Sequence, residues 1–133
     1  MNRTKAREYA FVLIFQYRFQ PNDIEAILED FIDEYKPGQQ QNYIKSVVLG
    51  TKENIAEIDQ KIDEAAKDWN VERLSCVSLA VLRLAVYELL FCSDIPNAVT
   101  VNEAVGLAKK YDGEEAAPFV NGILGRIGKV QVS

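Results

Sequence analysis

LRLAVYELL (82–90) is the stretch whose reading decides the fold. With its flanks it makes residues 75–91 apolar on every side except at Ser75, Ser78, Arg83 and Glu88. A helix without a polar face is a buried helix, so this segment is read as the central helix of an all-α protein. Downstream, SDIPN (93–97) interrupts it with a proline, which lacks the donor needed to continue a helix. VNEAVGLAKKY (101–111) then reads as an amphipathic helix, with Asn102 near its start and Lys109 and Lys110 in its last turn, where the helix dipole favours cations. Asp112-Gly113 closes it, and FVNGIL (119–124) falls in a final helix over about 115–127.

Polar residues inside these apolar segments carry the next inference. Buried charges persist only when paired. Arg83 is therefore expected to pair with Glu103 or Glu88, clamping the fifth and sixth helices together. Asn121-Gly122 is expected at a tight helix crossing, with Asn121 satisfying backbone groups.

Upstream, Ala6, Ala10, Leu13 and Tyr17 recur at helical spacing over about 4–19, with Phe15 on the opposite side of the wheel and Phe11 near it. Ile24, Ile27, Leu28, Phe31, Ile32 and Tyr35 form a full stripe over about 23–35. Asn22 and Glu25 stand in capping-box positions ahead of it, and Lys36-Pro37-Gly38 ends it. A third helix carries Tyr43, Ile44, Val47 and Val48. It either breaks at Gly50-Thr51 or runs on to about Asn54. A fourth carries Ile55, Ile58, Ile62, Ala65 and Trp69. No alternating strand pattern occurs. The expectation is about seven helices in two stacked bundles, one domain over 1–133 with sub-bundles at about 1–54 and 55–133.

The 133 residues are 48% apolar and 26% charged, ordinary for a globular protein. The N-terminus is charged throughout, unlike a signal peptide, and 76–92 is too short and too interrupted to span a bilayer. A cytoplasmic location is expected. Cys76 and Cys92 read as small buried hydrophobes, since sixteen residues of helix would hold them roughly 24 Å apart. The net charge of −5 disfavours nucleic acid on its own, but the charge is polarised. Residues 1–20 hold Arg3, Lys5, Arg7 and Arg18 against Glu8 alone, whereas 21–35 hold Asp23, Glu25, Glu29, Asp30, Asp33 and Glu34 with no base. Either both are solvated helix faces, or the basic part meets RNA and the acidic part a basic partner.

Catalytic grammar is missing. Without histidine there is no Ser–His–Asp or Cys–His site, and no metal or cofactor is expected. Leu49-Gly50-Thr51-Lys52 lacks the order of a phosphate loop. Gly122, Gly125 and Gly128 follow no strand, so they read as close-approach positions and a helix end rather than a dinucleotide fingerprint. Asp59 with Asp63, and Glu114 with Glu115, read as surface acids. Phe119, after the polar loop DGEEAAP (112–118), is either a core plug or a stacking platform for an unpaired base. In the second case Arg3, Lys5 and Arg7 would track phosphates of single-stranded RNA.

Ala6-Arg7-Glu8 with Ala10, Trp69 with Arg73-Leu74, Leu82-Arg83-Leu84-Ala85, Tyr87-Glu88-Leu89, Val101-Asn102-Glu103-Ala104-Val105, Leu107-Ala108-Lys109 and Phe119-Val120-Asn121-Gly122 occur in order. This set resembles the NusB family of transcription antitermination factors. The resemblance implies a non-enzymatic all-α protein of two helical bundles. It implies binding to boxA-type RNA together with NusE, the tenth small-subunit ribosomal protein, and indirect engagement of the RNA polymerase elongation complex. The implied outcome is read-through of terminators, notably in ribosomal RNA operons. By the same resemblance RNA contacts fall on Arg3, Lys5, Arg7 and Phe119, and the partner surface includes Phe15, Glu72 and Ser78. The chain departs from the family pattern at Ser78, where an acid is familiar, at Gly125, where Asp is common, and at Pro118. Two alternatives stand beside this. One is a helical scaffold that homodimerises through Phe11 and Phe15. The other is kinship with the RNA-binding module of ribosomal RNA cytosine methyltransferases, for whose methyl-donor domain a chain ending at Ser133 leaves no room.

Overall fold

The computed structural model describes residues 1–67 and 74–132, the last four as backbone only. It contains α1 (Arg3–Phe19), α2 (Ile24–Tyr35), α3 (Gln41–Glu53), α4 (Ile55–Ala65), α5 (Cys76–Phe91), α6 (Asn97–Asp112) and α7 (Ala116–Val132), with a 3-10 turn at Gly38–Gln40. Among the described residues there is no strand, and no helix is long and apolar enough to cross a membrane.

The apolar segment is the central helix. Val81, Leu82, Leu84, Val86 and Leu89 of α5 are buried, and α1, α3, α4, α6 and α7 all pack around it. On one side lie α1, α2 and α3; on the other α4, α6 and α7. The stripe on α2 buries Ile24, Leu28 and Phe31 against the α1 layer. All-α architecture in two stacked layers is thus as expected from the apolar spacing.

The ends of the helices differ from expectation in instructive ways. Asn2 caps α1, its Oδ1 accepting from the Lys5 N–H at 2.8 Å. The capping box at Asn22 does not form: Asp23 holds the N-cap position and makes no side-chain cap bond. Lys36 ends α2 in the left-handed region at φ 47°. Helix α3 continues through Gly50-Thr51, and the chain turns at Asn54, whose backbone N–H and side-chain Nδ2 both donate to the Gly50 carbonyl. Gly50 lies under the Tyr87 ring, where a Cβ would overlap it. The glycine permits a helix crossing and is not a helix break. Helix α6 starts at Asn97 directly after Pro96, so Asn102 lies mid-helix and is exposed.

Two polar residues take other places than expected. Asn121 is exposed on α7 and fills no buried crossing. Arg83 pairs with neither Glu88 nor Glu103. Its Nε and Nη2 donate to Asp59 Oδ1 and Oδ2 on α4, each at 2.9 Å. Five residues of helix turn roughly 140° between positions 83 and 88, so Arg83 faces α4 while Glu88 faces α1. Cys76 and Cys92, at opposite ends of α5, are both free thiols, and burial pushes Cys92 up to about 11. Trp69 and Arg73 lie outside the described residues.

Candidate nucleic-acid interface

The first two turns of α1 present an exposed basic edge. Arg3 donates from Nε to Gln40 Oε1 at 2.7 Å, and its guanidinium lies 4.2 Å from the centre of the Tyr43 ring. Lys5 bridges to Glu8 Oε1 at 2.9 Å. The other Glu8 oxygen accepts from Lys110 Nζ at 2.5 Å and from Tyr111 Oη at 2.6 Å. Hydrogen bonds from Lys110, Tyr111 and Lys5 hold the Glu8 carboxyl down at about 2. The same hydrogen bonds raise Lys5 and Lys110. Thr4 Oγ1 donates to Glu103 Oε1 at 2.7 Å, which fastens the start of α1 to α6. Between these helices runs a groove of about 360 Å³ with Thr4, Lys5, Glu103, Gly106 and Lys110 on its walls. Glu8 and Lys110 have a signal in the sequence: a lone acid in a basic segment, three residues from Lys5, and a basic last turn on α6.

Arg7, expected beside Arg3 and Lys5, is placed elsewhere. It is 2% exposed and points into the molecule with Ala10 and Ile14. Its Nε and Nη2 donate to Glu88 Oε2 and Oε1 at 2.8 and 3.1 Å, and Nη1 lies 3.2 Å from Glu103. Tyr43 Oη and Thr100 Oγ1 donate to the same Glu88 carboxylate at 2.5 and 2.9 Å. Burial is the largest influence on Arg7 and works against its charge, but the Glu88 hydrogen bonds together with the electrostatic pull of Tyr43, Glu88 and Glu103 outweigh it and raise the guanidinium. Burial, then the Glu88 charge, push the Tyr43 phenol far up, so it stays a neutral donor. Arg7 is therefore a buried clamp between α1 and α5, without an open face for a phosphate.

The expected partner residues also separate. Phe15 is half-buried, packed on the core and 5.2 Å from the ring of Phe19, and Phe19 is 59% exposed. Phe11 is buried with its ring 5.0 Å from Tyr111, so it offers no dimer surface. Ser78 is buried rather than presented: its Oγ and that of Ser75 both donate to Asp112 Oδ2 at 2.6 Å. The acid at this corner comes from the end of α6, across a separation of 34 residues that no local motif reveals. Glu72 lies outside the described residues. Phe119 is half-buried in the first turn of α7 and packs on the core. Ahead of it in the chain come the exposed residues Gly113 to Glu115, which follow Lys110, Tyr111 and Asp112 and precede Ala116, Ala117 and Pro118.

This arrangement of helices is shared with known proteins. The NusB family model matches residues 4–129. The chain belongs to the NusB family. The transcription antitermination protein NusB of Clostridium botulinum (strain Hall) is 44% identical, over 96% of this chain and 99% of that one. The protein of the same name from Pseudothermotoga lettingae is also 44% identical, over 96% and 91%. Among solved structures, NusB of T. maritima superimposes with a TM-score of 0.87 at 42% identity, covering 97% of this chain and 92% of that one. A crystal structure of the antitermination factors NusB and NusE in complex with dsRNA aligns with a TM-score of 0.83 at 29% identity, covering 98% and 99%. These NusB relatives are named as transcription factors and not as enzymes. Within this NusB-family chain, much of the motif set is architecture: Glu88 and Glu103 serve the Arg7 clamp, and Arg83 ties α5 to α4.

Proposed function

We propose that this NusB-family chain is a transcription antitermination factor that binds boxA-type single-stranded RNA together with NusE and promotes read-through by RNA polymerase, notably in ribosomal RNA operons. The observation that carries this reading is likeness over nearly the whole chain to proteins named for that activity, one of them solved with NusE and RNA. It works as a single domain in the cytoplasm and engages the elongating polymerase indirectly. The net charge of −5 suits a basic ribosomal protein as the partner that supplies positive potential.

RNA lies along the edge formed by Arg3, Lys5 and Lys110, with Phe119 stacking an unpaired base. NusE meets the Phe15–Phe19 surface and the neighbouring corner, where Asp112 takes the place first assigned to Ser78; Glu72 is assigned to NusE by the family resemblance alone. A homodimer of the free protein is the competing occupant of that surface, and light scattering with and without NusE decides between them.

The test is a mobility shift with labelled boxA-type RNA, single-stranded and duplex, with and without NusE. No shift in any condition at low salt overturns the reading. Phe119→Ala should weaken RNA binding roughly 5- to 100-fold, the worth of one stacked base, with the circular dichroism spectrum intact. Loss of the fold would make Phe119 a core plug. Phe15→Asp should abolish capture by NusE, and undiminished capture would remove Phe15 from that surface.

A further inference from the structure

Beside Lys5 stands an aromatic group that the RNA track described above does not use. Lys5 Nζ lies 5.2 Å from the centre of the Tyr9 ring. Tyr9 packs on Tyr35 at 5.2 Å and on Phe31 at 5.1 Å. Tyr35 in turn stacks on Phe31, at 4.8 Å and 26° between ring planes. Phe31 is the buried floor of the group, Tyr9 is half-buried, and Tyr35 remains 49% exposed although it closes the apolar stripe of α2. A tyrosine held rigid by a buried ring beneath it, half open to solvent and one residue from a cation on either side in space or sequence (Lys5 through Tyr9, and Lys36), has the make-up of a stacking step for a base.

We propose that Tyr35, backed by Phe31 and Tyr9, is a second base-stacking step for single-stranded RNA, reached across Lys5 from the Lys110 and Phe119 side. The proposal rests on the RNA-binding reading above and extends its track. Lys5 joins the two parts of the path, since its Nζ bonds Glu8 at 2.9 Å and lies 5.2 Å from the centre of the Tyr9 ring. Arg3, lying over Tyr43, borders the same end of α1. The exposed acids Asp30, Asp33 and Glu34 line the outer face of α2 and repel phosphate. They prevent the strand from running on along α2, so Tyr35 is a terminal step that accepts one base at one end of the RNA.

The test uses the folded full chain with NusE and three probes: a boxA-type single-stranded RNA, and the same RNA lengthened by a short adenosine tail at either its 5′ or its 3′ end, the tail carrying 2-aminopurine. One tail should raise affinity and lose its fluorescence on binding. Tyr35→Leu keeps the apolar contact with Phe31 but removes the aromatic face. It should lower affinity for that tailed RNA roughly 5- to 100-fold and restore the fluorescence, while leaving the untailed RNA unchanged. Tyr35→Phe should bind as the wild type does. Equal binding of wild type and Tyr35→Leu to both tailed RNAs overturns the proposal. So does weakened NusE capture by Tyr35→Leu with no change in RNA affinity, which would make the patch a protein contact. If the wild type binds the untailed RNA normally, only the second step falls; if it binds none of the RNAs, the antitermination reading falls as well.

Discussion

Glu88 accepts from Arg7 twice, from Tyr43 and from Thr100, and is 1% exposed. A buried carboxylate so fully satisfied stabilises only as a set, because removing one member strands the other charge in a medium that cannot solvate it. Glu88→Gln, which leaves Arg7 with Glu103 alone, should lower unfolding free energy by about 3–5 kcal/mol in chemical denaturation. Arg7→Met combined with Glu88→Leu should recover most of that loss. The same double variant checks the site: its folded form should bind RNA as the wild type does, since Arg7 has no open face. Reading from the sequence placed Arg7 with Arg3 and Lys5 because all three are basic and close together. Arg3 and Arg7 share a helix face, both over the Tyr43 ring, but Arg7 lies one turn further in and is covered along with Ala10 and Ile14, whereas Arg3 and Lys5 stand at the exposed end of the helix.

Between helices, two contacts decide how the layers meet. At the α3–α5 crossing the Tyr87 ring occupies the space of a Gly50 side chain. Gly50→Ala should destabilise by about 1–3 kcal/mol, as over-packing does. In a Tyr87→Ala background the same change should stabilise by up to about 1 kcal/mol, the gain of alanine over glycine in a helix. A double-mutant cycle by thermal or urea unfolding measures both. At the α1–α6 contact, Glu8 ties Lys5, Lys110 and Tyr111 together, and its carboxyl is lowered from 4.5 to about 2. The folded form binds this proton less readily than the unfolded chain, so the tie contributes stability that is complete above about 4.5 and is lost as pH falls toward about 2. Glu8→Gln should lower Tm at neutral pH and flatten the fall of Tm across that acid window. An unchanged acid limb would assign the acid sensitivity to other carboxylates.

At the scale of the whole molecule, the proposed RNA binding by a chain of net charge −5 falls to a small basic edge. With Arg3, Lys5 and Lys110 as the phosphate contacts, the slope of log affinity against log salt should be about −2 for the free protein, and steeper once NusE adds its own cations. Titrations across a salt series measure it; a much steeper slope without NusE would mean that further cations take part. By itself the sequence determined the helices, the central place of α5 and the family, because these follow from apolar spacing and ordered motifs that are local along the chain. The basic edge at Arg3 and Lys5 was legible for the same reason. Only the tertiary structure decided which polar groups meet: Arg7 with Glu88 across 81 residues, Arg83 with Asp59 across 24, and the Ser78 hydroxyl with Asp112 across 34. Those pairings depend on the rotation of each helix about its axis and on which helix packs beside it. A salt bridge forms only where packing brings two charges within a few ångströms, and no spacing within one helix specifies that.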